Sequence, residues 1–120
     1  MLWDYGDNTH FYYFIGKPTG WELGKEDLAY AGNQRFLATG TTPKFPIGQR
    51  YVVTVKQAAT ASATALSIWV NGAPLANPTT GAFPTFVDTE RPYSGGYVGL
   101  YAEDAHAYFP SVVVTTPSAN

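Results

Sequence analysis

Two segments constrain this chain more than anything else in it. QRYVVTVKQA (Gln49–Ala58) and ALSIWVNGAPLA (Ala65–Ala76) alternate with a period of two. In an extended chain successive side chains point to opposite faces. Tyr51, Val53 and Val55 therefore share one face, and Arg50, Val52, Thr54 and Lys56 the other. Leu66, Ile68 and Val70 likewise oppose Ser67 and Trp69. The small polar spacer ATASAT between the segments reads as a hairpin tip, and Asn71–Gly72 is a strong tight-turn signal. A hairpin with one apolar face must bury that face against a second layer.

The rest of the chain supplies that layer. THFYYFIGK (Thr9–Lys17) is aromatic and extended and ends at the turn signal KPTG. WELGKED (Trp21–Asp27) follows as its partner, weakened by Gly24, and QRFLATG (Gln34–Gly40) as a third strand. NPTTGAFPTFVDTERPYSGG (Asn77–Gly96) reads as one long loop. YVGLYAE and AHAYFPSVVVTT read as two more strands around an acidic turn at Asp104, and PSAN (117–120) as a frayed tail. No stretch sustains a helical period, and GKEDLAYAGNQ has room for one short helical turn at most. About eight short strands with Gly, Pro and Asn turns predict an all-β, antiparallel β-sandwich over residues 1–120. That length suits one domain.

Composition narrows the partners. Charged residues are 13% of the chain, the net charge is −2, and the seven Lys and Arg are scattered. Nucleic acid and anionic membrane surfaces are therefore not expected partners. With no cysteine, thiol chemistry and Cys-based zinc sites are excluded. No apolar run approaches the roughly 18 residues of a membrane-spanning helix. The start, MLWDYGDN, lacks the basic and apolar regions of a signal peptide. Aromatic content is 16%, with nine Tyr and three Trp. Flat rings suit stacking on pyranose faces, although β-proteins favour aromatics anyway.

The order of the pieces carries a resemblance. FYYF and GWELGK precede a G-x-R-Y-x-V-x-V strand, then L-x-I-W-V-N-G, S-G-G-Y-V-G-L-Y and A-x-A-Y-F-P-S-V-V-V. This resembles the concanavalin A-like, laminin-G-like jelly-roll domains, from about Trp3 to Thr116. It is similar to bacterial modules attached to polysaccharide-degrading enzymes and to 3-keto-disaccharide hydrolase-like domains. The resemblance implies a jelly roll, a carbohydrate ligand and an extracellular setting within a larger or processed protein. Such domains begin with two or three further strands, so the resemblance also implies an N-terminally truncated sandwich. Self-association, or a partner chain supplying the strands, is then expected.

Candidate site residues follow. Sandwich glucanases related to this fold carry an E-x-D-x-E strand, and this chain has Glu22, Gly24 and Glu26, with Asp27 beside them. Glycoside hydrolysis needs two carboxyls about 5–9 Å apart. Residues i and i+4 of a strand are roughly 13 Å apart, and Gly24 replaces the central Asp. Surface charges beside Lys25 are the plainer reading. His10 and His106 are too few for a zinc triad. Ser94, His106 and Asp104 lack the G-x-S-x-G context of a nucleophile elbow. Asp4, Asp7 and Asn8, with Glu103 and Asp104, offer oxygen ligands for a structural calcium, as related modules often hold, although such clusters are commonly turns. For a sugar, the candidates are Trp69, Trp21, Tyr12 or Tyr13, Tyr93, Arg35 and Arg91, with the loop Asn77–Gly96 as rim. Trp69 is the principal one, because it opposes the apolar face of its strand. The expected function is a non-catalytic carbohydrate-binding or adhesion module. The alternatives are an assembly subunit completed by another chain, and a glycoside-active enzyme using Glu22 paired with Glu26 or Asp27.

Overall fold

The computed structural model describes residues 1–116. It is all-β apart from one 3₁₀ turn at Ala31–Asn33. Nine strands run in chain order: β1 (Leu2–Asp7), β2 (His10–Lys17), β3 (Gly20–Asp27), β4 (Gln34–Gly40), β5 (Val53–Ala59), β6 (Thr64–Val70), β7 (Ala73–Pro74), β8 (Phe86–Asp88) and β9 (Tyr97–Gly99). They form two antiparallel sheets. The first has the order β4-β3-β2-β1-β9. In the second, β6 pairs with β5 on one side and with β7 and β8 on the other. The molecule is therefore an antiparallel β-sandwich. Among the described residues no helix is long and apolar enough to cross a membrane.

The alternation sets the core. Leu66, Ile68 and Val70 of β6 are buried, while Ser67 and Trp69 between them are only half-buried. From the facing sheet come Trp3, Tyr12, Phe14, Trp21 and Leu23, and Phe45, Leu75 and Tyr93 close the ends. Each fully buried side chain of this size contributes about 1.5–3 kcal/mol. The Asn71–Gly72 turn has φ values of 51° and 80°, the left-handed pair that a tight hairpin turn requires. Cross-layer bonds fix the stacking. Trp3 Nε1 donates to Gln57 Oε1 at 3.0 Å, which sets β1 opposite β5. Tyr12 Oη donates to Asp88 Oδ2 at 2.8 Å, which sets β2 opposite β8.

Several expectations are corrected. The first residues form a strand, β1, between β2 and β9. Its alternation is broken by a bulge where Asp4 takes φ 51°, so no period-two signal marks it. The long loop Asn77–Gly96 contains β8, three residues held in place by pairing with Thr64–Leu66. At the other end the expected strands shrink. Only Tyr97–Gly99 pairs, and residues 100–116 are exposed and without regular structure. An apolar alternation makes a strand only where a neighbouring strand supplies hydrogen bonds. The expected frayed tail, 117–120, lies outside the described residues.

Candidate functional site

The structure gathers four of the expected ligand residues, Tyr12, Tyr93, Arg35 and Arg91, around one buried lysine. Lys25 sits on the inward face of β3 with Trp21, Leu23 and Asp27. It is fully buried, while Glu22 and Glu26 on either side of it are half-buried. Its ammonium donates to Asp88 Oδ2 at 2.8 Å, to the Glu90 carbonyl at 2.5 Å and to the Arg91 carbonyl at 3.1 Å. Three donors meet three acceptors, and the Tyr93 ring lies 4.9 Å away.

The charges around it balance. Arg35 reaches Asp88 at 3.5 Å and Glu90 at 3.0 Å. Arg91 donates from Nε to Asp27 at 3.0 Å, and Lys25 lies 3.7 Å from Asp27. Three cations (Lys25, Arg35, Arg91) thus face three carboxylates (Asp27, Asp88, Glu90). Burial pushes the Asp27 carboxyl up, but hydrogen bonds from Ala29 N and Arg91 outweigh it and leave its pKa lowered. Burial raises the pKa of both Tyr12 and Tyr93. Tyr12 Oη accepts from Tyr93 N at 3.0 Å, and Tyr93 Oη donates to the Glu26 carbonyl at 2.7 Å. These groups partner one another across the layers, so the node joins the two sheets; Arg91 takes part through Nε alone and its side chain stays 64% exposed. Asp88 sits at its centre, and sequence reading missed it inside the supposed loop.

The remaining candidates lie elsewhere. Trp21 is buried and its indole donates to the Thr42 carbonyl at 2.9 Å. Trp69 is on the outer face of the second sheet, with Phe83 edge-on at 5.1 Å covering part of its ring. His10 stacks on Tyr93 at 3.7 Å. Ser94, Asp104 and His106 are exposed, and the last two lie in the irregular segment 100–116.

The calcium candidates do not converge. Asp7 accepts from Thr9 N and Thr9 Oγ1, both at 2.7 Å, in a local turn that lowers its pKa. Asp4 Oδ1 accepts from Gly95 N at 3.1 Å, and its buried Oδ2 has no protein partner. Among the described residues no three His, Cys, Asp or Glu side chains are placed to hold a metal ion.

A different surface combines apolar rings with polar groups. The outward face of the first sheet follows from register. Phe11, Tyr13 and Ile15 of β2 pair with Glu26, Gly24 and Glu22 of β3, and Gln34, Phe36 and Thr39 of β4 continue the rows. Tyr5 lies 5.7 Å from Phe11, and Phe11 lies 6.4 Å from Tyr13. Gly24 has no side chain because the Tyr13 ring occupies its place. Gln34 Nε2 donates to Tyr13 Oη at 2.6 Å, while burial raises the Tyr13 phenol to about 12. Glu22 and Glu26 thus flank a tyrosine ring. Burial raises the Glu26 pKa, and Lys17 holds Glu22 at 3.1 Å. Phe36 stands 54% exposed at the margin.

At the Glu22 end this face opens into a cleft of about 540 Å³, lined by Lys17, Trp21, Glu22, Thr39, Thr41 and Pro78. A second cleft of about 500 Å³ adjoins it across Gly40, Thr41 and Pro78, and Asn77 and Gly81 line its rim. Sequence reading had found Glu22 and Glu26 as a pair. Tyr13, between them, is one of the expected ligand residues; Phe11 and Phe36 stand out only once three strands are in register. No protein-family model, curated protein or solved structure matches this chain.

Proposed function

We propose that this protein is a non-catalytic carbohydrate-binding module of the concanavalin A-like jelly-roll kind, working in an extracellular polysaccharide-processing system. The observation that carries this reading is the position of Glu22, where the aromatic outer face of the first sheet meets the cleft at Lys17, Thr39 and Thr41. Sugar rings present apolar C–H faces and a girdle of hydroxyls. Phe11, Phe36 and Tyr5 offer apolar surface for the first, and Glu22, Glu26 and Gln34 offer acceptors and donors for the second. Such a mixture of apolar surface and a few directed polar groups is what ligand sites are made of.

Hydrolysis is the less supported use of the same carboxylates. Tyr13 fills the space over Gly24, between Glu22 and Glu26, where a glycosidic bond would have to sit. A glycan array followed by titration calorimetry tests the binding reading. Wild type is expected to bind a neutral polysaccharide, with Glu22→Gln and Phe36→Ala each weakening it at least about tenfold, the loss of roughly one good polar or apolar contact. A wild type that binds no glycan, or variants that bind as well as it does, would overturn the reading. Hydrolysis of the bound glycan that Glu22→Gln abolishes would replace it with the enzymatic one.

A second reading, an assembly subunit, is favoured by one flank of the sandwich. The inward residues Val53, Val55 and Gln57 of β5 are only half-buried, and Val98 of β9 is 40% exposed.

A further inference from the structure

The open flank and the unpaired C-terminal segment lie on the same side of the molecule. Trp3 bonds to Gln57, so β1 lies over β5. The first sheet continues one strand further, to β9, while β5 has no hydrogen-bonded neighbour beyond it among the described residues. β9 therefore has no strand facing it. Its register with β1 puts Gly99 opposite Leu2 and Tyr97 opposite Tyr5 on the outer face, which turns Val98 inward over the gap. The edge of β5 presents unpaired N–H and C=O groups beside half-buried valines, the template onto which another strand adds.

The chain also carries a strand-favouring run that pairs with no sheet among the described residues. Beyond Gly99, Ser111–Thr116 reads SVVVTT, a run of strand-favouring residues. Val112, Val113 and Val114 are 46%, 79% and 63% exposed, and Tyr108 and Phe109 before them are exposed too. All of residues 100–116 are exposed.

We propose that Ser111–Thr116 of one copy adds to the β5 edge of a second copy, covering Val53, Val55 and Val98 there, and that the exchange is reciprocal. The two contacts are then identical and close on themselves, as a two-fold pair does. This deepens the assembly reading and rests on it. The valines gain an apolar surface and the β5 edge gains a ladder.

Light scattering over a concentration series tests it with three proteins: wild type, Val113→Lys and Val112→Lys/Val114→Lys. Alternation puts either Val113 or the Val112/Val114 pair against the partner. Wild type is expected at twice the chain mass, with one of the two variants at the single-chain mass and an unchanged circular dichroism spectrum. Amide exchange across Val53–Ala59 is expected to be slower in the dimer than in that monomeric variant. A wild-type monomer at every concentration overturns both the exchange and the assembly reading. A dimer that both variants leave intact, or that shows no protection at β5, overturns the strand exchange and leaves assembly through another surface standing. A variant that unfolds also overturns the exchange, because the segment would then be packed within its own sandwich.

Discussion

Lys25 shows how one side chain can join two layers. It lies on β3, in a strand position that alternation assigns to the core, and a lysine there is tolerated only because three oxygens wait for it. Two of those oxygens are backbone carbonyls of the segment after β8, so the lysine holds that segment against the first sheet. Losing one partner of a buried pair strands the other charge. Lys25→Met is therefore expected to cost about 3–5 kcal/mol in urea unfolding, because Asp88 loses its nearest cation. The double variant Lys25→Met/Asp88→Leu is expected to recover part of that cost, while leaving Tyr12 Oη without its acceptor. A cost within about 0.5 kcal/mol of zero for the single variant, the range of ordinary surface substitutions, would show that the lysine is not buried as described. The alternation foretells that position 25 faces inward; the residue type argues the opposite. Burial of a charge is decided by partners far along the chain, here Asp88, Glu90 and Arg91.

Strands were legible wherever period and turn chemistry agreed. β2, β3, β4, β5 and β6 fall within a few residues of their expected bounds, and the 3₁₀ turn lies inside GKEDLAYAGNQ. β1 and β8 were not legible. The bulge at Asp4 disrupts the first, and the second is too short to show a period. Gly24 looked like a weakness in β3. In the sheet it is the space into which Tyr13 folds, with the Arg35 carbonyl 2.8 Å from where a Cβ would stand. Neither neighbour is free to move, since Gln34 holds the tyrosine hydroxyl and the carbonyl belongs to β4. Gly24→Ala is expected to cost about 1–3 kcal/mol, the usual range for overpacking, as a lower urea midpoint at unchanged slope. An alanine variant as stable as wild type would mean that the Tyr13 ring lies elsewhere.

At the scale of the whole molecule, titratable groups tie stability to pH at both ends. The Asp27 pKa is held below its ordinary 3.8, so its contribution is complete above that pH and disappears as pH falls through the folded value. Tyr12, Tyr13 and Tyr93 are raised above their ordinary 10.0, Tyr13 to about 12. Their contribution is complete below pH 10.0 and is lost as pH climbs through the folded values. These groups give the unfolding free energy an acid limb below pH 3.8 and an alkaline limb above pH 10.0. Arg91→Ala removes one of the bonds that keep Asp27 ionised, so it should reduce the Asp27 contribution to the acid limb and leave the alkaline limb in place. An acid limb unchanged by Arg91→Ala would contradict the pairing seen in the structure.

By itself the sequence determined the layer type. A period of two in the hairpin, tight turns at Asn71–Gly72 and the absence of helical periodicity leave a β-sandwich as the architecture, because only a second sheet buries such faces. Which side chains meet was decided by the tertiary structure. Tyr12, Arg35, Arg91 and Tyr93 converge on a charge node because β8 crosses over β2 and β3. Glu22 and Phe36 share a face because β3 and β4 pair in one register, with a bulge between Leu23 and Gly24. The same dependence governs SVVVTT. Its pattern favours a strand, but a strand exists only beside another, and within its own sheets it has none although β5 stands at an open edge.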